Sequence, residues 1–96
     1  MAGDGSRCLA RFSLGRILAT RQARERLSDE DIGLAILRHV SGDWGDVCSE
    51  DWEANTRALE TGARLLSAYV SWDAIRFYLI TEHDRSATTI LLPEEY

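Results

Sequence analysis

Two histidines, a group of hydroxyls and a cluster of acids are the side chains through which this chain could do chemistry. His39 closes an apolar-periodic stretch, and His83 stands before Asp84-Arg85-Ser86, with Thr88 and Thr89 close behind. Imidazole titrates near neutral pH, guanidinium clamps phosphate, and hydroxyls donate or accept hydrogen bonds. His39 with Arg85, Ser86, Thr88 and Thr89 would therefore make the acid–base and phosphate-binding set of a small ribonuclease, provided the fold brings them together. The plainer reading is a turn in which Asp84 and Ser86 bond the local backbone. A glycine-rich phosphate loop, a serine nucleophile elbow and zinc-ligand spacing are all missing, so neither a metal nor a cofactor is expected.

The acids form a second constellation. Asp43, Asp46, Glu50, Asp51 and Glu53 lie close together, and no Arg occurs between His39 and Thr56. They could form a negative face that docks an Arg- or Lys-rich partner, imitating nucleic-acid phosphates. They could equally be a solvated loop followed by acids placed favourably at a helix start. Asp43 and Asp46 could offer oxygens to a cation, but the run lacks the glycine and glutamate spacing of a calcium loop. Trp44, between two Gly-Asp pairs, is either a plug in the core or an exposed anchor for the partner.

The elements that must position these residues are readable from periodicity. Leu9–Thr20 alternates in part and reads as a strand, with Thr20 capping a short helix over TRQARERL. Ser28, followed by three acids, opens a second helix over 29–41, whose Ile32, Ala35, Ile36 and Val40, with Leu37 beside them, face the core. Ser49 caps a third helix, its face Trp52, Thr56, Leu59 and Ala63, stopped by Gly62. From Arg64 the period becomes two: 65–72, 75–82 and 87–92 read as three strands joined by turns at Asp73-Ala74 and at 83–86, the last halted by Pro93. The expected fold is α+β, an N-terminal strand and two to three helices packed on a C-terminal antiparallel meander, giving a sheet of three to four strands. Residues 1–7 read as a flexible lead-in to one domain over 8–96.

Charge and length narrow the classes further. The 96 residues carry net charge −5 and contain no lysine. Met1–Arg38 has seven Arg against five acids, whereas His39–Tyr96 has four Arg against eleven, a net −7 that argues against direct nucleic-acid binding by that half. No stretch is apolar enough to cross a membrane and no signal peptide is evident, which leaves a cytoplasmic protein as the expectation. Cys8 and Cys48 do not make a disulfide framework and read as free thiols.

The strings HVSGDWGD (39–46), Glu50-Asp51 to Asn55, and ITEHDRSATTILLPEEY (80–96) resemble a family of small bacterial proteins carried on plasmids, integrative elements and prophages. The likeness runs from Leu14 to Tyr96. It departs at Arg21, where the family has Pro after the Thr, and at His83, where Ala is commoner, which weakens His83 as a shared catalytic group. The resemblance implies a mobile-element setting, in which small acidic proteins often inhibit host defence in the anti-CRISPR or anti-restriction manner. The leading expectation is thus a non-enzymatic inhibitor using Asp43, Trp44, Asp46, Glu50, Asp51 and Glu53 against a protein partner with a basic surface, such as a nucleic-acid-binding defence complex. A ribonuclease-like toxin and a regulatory module that dimerises through an edge strand are the alternatives, with a monomer or homodimer as the state.

Overall fold

The structure, a computed structural model, describes residues 10–96. The expected lead-in over 1–7, Cys8 and the start of the expected first strand at Leu9 lie outside the described residues. Along the chain come β1 (Arg16–Ala19), α1 (Arg21–Arg26), α2 (Asp29–Val40), α3 (Ser49–Thr61), β2 (Leu65–Val70), β3 (Arg76–Thr81), β4 (Ala87–Leu91) and a terminal 3-10 turn, Pro93–Glu95. This is an α+β fold.

Caps set the helix starts. Thr20 Oγ1 accepts from the Ala23 amide at 3.1 Å, and Ser28 Oγ accepts from the Asp31 amide at 3.1 Å. Three acids then occupy the first turn of α2 beside the positive end of its dipole. α3 departs from expectation, since Ser49 is already helical and the cap position belongs to Cys48, which makes no side-chain cap. Gly62 ends α3 in the left-handed region, at φ 78°.

The sheet has four strands in the order β1-β4-β3-β2. β2, β3 and β4 form the antiparallel meander, and β1 adds to β4 in parallel. Registers Leu65↔Thr81, Ser67↔Leu79 and Tyr69↔Phe77, continued by Thr81↔Thr88 and Leu79↔Ile90, define one face. Helices α1 and α2 cover it, and Ala23, Leu27 and Ala35 pack there with Tyr69, Phe77, Leu79, Ile90 and Leu92. β2 therefore turns Leu65, Ser67 and Tyr69 inward, while Trp72, past its end, is 92% exposed. Leu37, expected beside the core stripe, is exposed on the outside of α2.

The buried side of α3 also differs from expectation. Asn55 and Ala58 are its buried residues; Trp52 and Ala63 lie outside. Asn55 is inward because its amide behaves like one residue of a neighbouring strand. Its Nδ2 donates to the Leu66 carbonyl at 2.7 Å, and its Oδ1 accepts from the Leu66 amide at 3.0 Å. Two residues on, the Ala68 amide donates to the Trp44 carbonyl at 3.1 Å and the Ala68 carbonyl accepts from the Asp46 amide at 2.6 Å. The outer edge of β2 is thereby occupied by its own chain.

That contact requires Gly45. Its φ is +77°, and a Cβ there would stand 2.0 Å from the Ala68 carbonyl oxygen. Gly45→Ala is expected to cost about 3 kcal/mol, strain and a broken bridge together, measured by urea unfolding. The C-terminal turn is also tied down: Thr20 Oγ1 donates to Glu95 Oε1 at 2.7 Å, and the Leu92 amide donates to the same oxygen at 2.9 Å.

Candidate functional site

The loop between α2 and α3 takes its shape from Trp44. The indole is fully buried, stacked on Phe12 at 6.2 Å between centroids and edge-on to His39 at 5.6 Å. Its Nε1 donates to Thr56 Oγ1 at 3.2 Å, so the one polar atom of the ring is satisfied. Ala58 and Leu65 complete the pocket. Trp44 is thus a core plug, and its expected alternative role as an exposed anchor does not stand. A side chain walled in by three elements presents no surface to a partner.

The flanking aspartates are engaged within the molecule. Asp43 takes a two-pronged contact from Arg38, at 2.8 and 3.3 Å, while the same guanidinium lies 4.6 Å over the Tyr69 ring. These hydrogen bonds hold the Asp43 carboxyl below its ordinary range and raise Arg38 above its own. Tyr69 donates its hydroxyl to the Asp43 carbonyl at 2.6 Å, and burial pushes that phenol up to about 12. Asp46 receives Arg76 Nη1 at 2.7 Å. Each aspartate answers its own arginine, and the two do not meet around a shared cation position.

His39 sits at the centre of a buried polar chain that linear spacing does not reveal. Its Nδ1 meets Ser67 Oγ and its Nε2 meets Thr81 Oγ1 at 2.8 Å; Thr81 Oγ1 is 2.7 Å from Thr88 Oγ1. Thr88 donates to the Leu14 carbonyl at 2.7 Å. A hydroxyl has one proton, so this last bond orients all the others. Thr88 has given its proton to Leu14, so Thr81 donates to Thr88. His39 Nε2–H then donates to Thr81, and the bare Nδ1 accepts from Ser67. The chain thus places a proton on Nε2, and burial of the ring favours the neutral form, in which Nδ1 accepts from Ser67. Burial, with the nearby Arg85 charge as a smaller contribution, lowers the His39 pKa to about 4.

Of the ribonuclease-like set, the fold brings His39 and Thr88 into this chain and sends the others elsewhere. Arg85 spends its guanidinium on main-chain oxygens, Ala63 at 2.7 Å and Ala58 at 2.9 Å, which fastens the end of α3 to the β3–β4 turn. Ser86 is exposed and closes that turn by donating its amide to Asp84 Oδ1 at 3.0 Å. Thr89 lies on the opposite sheet face from Thr88, in register with Ile80. An imidazole with no solvent contact and both nitrogens committed has no room for a substrate proton. The arrangement is a polar core that specifies register.

The acids of α3 are placed differently. Glu50, Asp51 and Glu53 are all exposed, Glu60 joins them a turn or two further on, and none forms an ion pair among the described residues. Trp52 stands among them, 38% exposed, and a shallow groove runs past it, lined by Glu53, Thr56, Arg57 and Glu60. Assigning Trp52 to the core hid this surface. The signal that could have found it is Thr56 and Glu60, four and eight residues on, which share the helix face of Trp52 and are polar. Trp72, with Leu34 and Leu37 on the outer side of α2, supplies further exposed apolar area.

Comparison with family models, with curated proteins and with solved structures finds no match. Among the described residues no helix is long and apolar enough to cross a membrane.

Proposed function

We propose that this chain is a non-catalytic binding protein of mobile genetic elements, acting in the cytoplasm as a stoichiometric inhibitor of a host defence complex. Its working surface is the exposed N-terminal half of α3, where Glu50 and Glu53 share one face, Trp52 stands beside Glu53, and Asp51 lies round the helix towards Asp46 and Arg76. The observation that carries this reading is a partly exposed indole beside exposed acids that form no ion pair among the described residues, Arg57 being the one cation in the same groove. Glu50 and Glu53, one turn apart on the same face, with Glu60 two turns further on, make a negative patch suited to an Arg- and Lys-rich groove built for phosphates. The indole supplies the apolar contact that anchors such an interface. The resemblance to mobile-element proteins supplies the setting and the anti-CRISPR or anti-restriction class.

The test is plasmid establishment in cells with an active restriction or CRISPR system targeting that plasmid. Expression of the wild-type chain is expected to raise establishment at least about tenfold, and Glu50→Gln/Asp51→Asn/Glu53→Gln to remove most of the gain while melting at the wild-type temperature. Charge contacts in water are individually weak, so the triple change is needed for a clear effect. A chain that gives no protection against any of the systems tried, or a triple variant that protects as well as wild type, would refute the proposal.

A further inference from the structure

The two edges of the sheet are treated oppositely. Asn55, Trp44 and Asp46 occupy the outer edge of β2, as described above. On β1, Arg16 and Thr20 send their amides inward, to the Ser86 and Ile90 carbonyls at 3.0 Å each. Strand alternation then points the amides and carbonyls of Ile17 and Ala19 outward, and no hydrogen bond reaches them among the described residues. The side chains beside them are open too, with Ile17 50% and Leu18 40% exposed. Only Arg16, at its start, brings to β1 any of the charges, prolines or bulges that normally guard an edge.

We infer that this edge is completed by a second copy of the chain, whose β1 adds antiparallel across a two-fold axis. Backbone geometry selects the register. Outward groups must face outward groups and side chains must keep to their own sheet face, so Ile17 pairs with Ala19 of the second copy and the reverse, giving four main-chain hydrogen bonds. The two Leu18 side chains then meet on the axis. Charge distinguishes a second copy from a foreign strand. The groove between β1, α1 and α2 carries Arg21 and Arg24 together with Glu25 and Asp29. Arg21 pairs with Glu25 inside the chain at 3.2 Å, so the rim is of mixed sign and near balance; a partner segment of one sign would meet its like there, whereas a second copy brings an equally mixed rim. This contact is separate from the α3 face, and neither proposal depends on the other.

Sedimentation of the full chain over micromolar to millimolar concentrations tests it. Wild type is expected to dimerise. Ile17→Pro removes an outward amide but none of the β1–β4 bonds, and is expected to weaken the dimer at least about tenfold. Facing residues of a non-hydrogen-bonded pair bring Cα atoms to about 4.5 Å, within disulfide reach. With Cys8→Ser and Cys48→Ser in place, Leu18→Cys should therefore form a cross-chain disulfide under mild oxidation and Arg16→Cys should not. The cross-link decides the matter even if the proline variant folds poorly. A monomer throughout, or a dimer indifferent to Ile17→Pro and lacking the Leu18→Cys cross-link, would overturn the inference. Retention of the dimer by the α3 triple variant would keep the two proposals distinguishable.

Discussion

Trp44→Ala is expected to lower unfolding free energy by about 4 kcal/mol, the largest effect of any single substitution considered for this chain. Three losses combine. The indole is fully buried, so its removal leaves a cavity walled by Phe12, His39, Ala58 and Leu65. Thr56 Oγ1 loses the Nε1 donor. The loop that meets Ala68 of β2 through the Trp44 carbonyl and the Asp46 amide loses the anchor holding it there. A domain of this size has a stability of about 5–10 kcal/mol, so the variant should be close to unfolding at room temperature. Urea titration followed by far-UV circular dichroism measures the loss. Trp72→Ala is the control; its ring is 92% exposed and its removal should change stability by less than about 0.5 kcal/mol. Equal losses at the two positions would mean that the loop is not a plug.

Acid should selectively weaken the His39 chain. The folded pKa is about 4, depressed from 6.5. Between these values the unfolded chain binds a proton that the folded chain refuses, so stability rises with pH. The contribution is complete above pH 6.5 and disappears as pH falls towards 4. The separation corresponds to about 3 kcal/mol at full extent. The physical cost is the burial of a charge: a proton on Nδ1 would donate to Ser67 Oγ, and the Ser67 hydroxyl proton would lose the acceptor it has in the neutral form. His39→Gln keeps one donor and one acceptor but does not titrate. Its urea-derived stability should change about 3 kcal/mol less than wild type between pH 7 and pH 4, at some fixed cost in packing. Parallel pH profiles for the two proteins would contradict the buried, neutral His39.

The starts of α1 and α2 and the end of α3 were open to reading because caps are local; the start of α3, which has no side-chain cap, was not. Thr20, Ser28 and Gly62 act on residues within one turn, and the structure keeps each in its role. The meander was equally legible from its two-residue period and turns. The choice of inner face was not. β2 has apolar side chains on both sides, and Tyr69 is selected over Val70 by what α2 and the 42–46 loop put against it. α3 was misread for a related reason. Its inward residue is Asn55, a polar side chain that periodicity counts as wet, and only a strand edge makes its burial favourable. The His39–Thr81–Thr88 chain joins residues 42 and 7 apart, and no spacing rule connects a helix end to two strands. The acidic cluster was legible as composition but divided by pairing: Asp43 and Asp46 are answered by Arg38 and Arg76, while Glu50, Asp51 and Glu53 form no ion pair among the described residues.

That division can be tested within one assay. Plasmid establishment under restriction or CRISPR attack should be compared for wild type, for Glu50→Gln/Asp51→Asn/Glu53→Gln, and for Asp43→Asn/Asp46→Asn, with expression matched and folded fraction checked by circular dichroism. Protection should fall at least about tenfold in the α3 variant and, per folded molecule, persist in the loop variant. Loss of protection in the folded loop variant with full protection in the α3 variant would place the working surface on the wrong side of Trp44 and contradict the account.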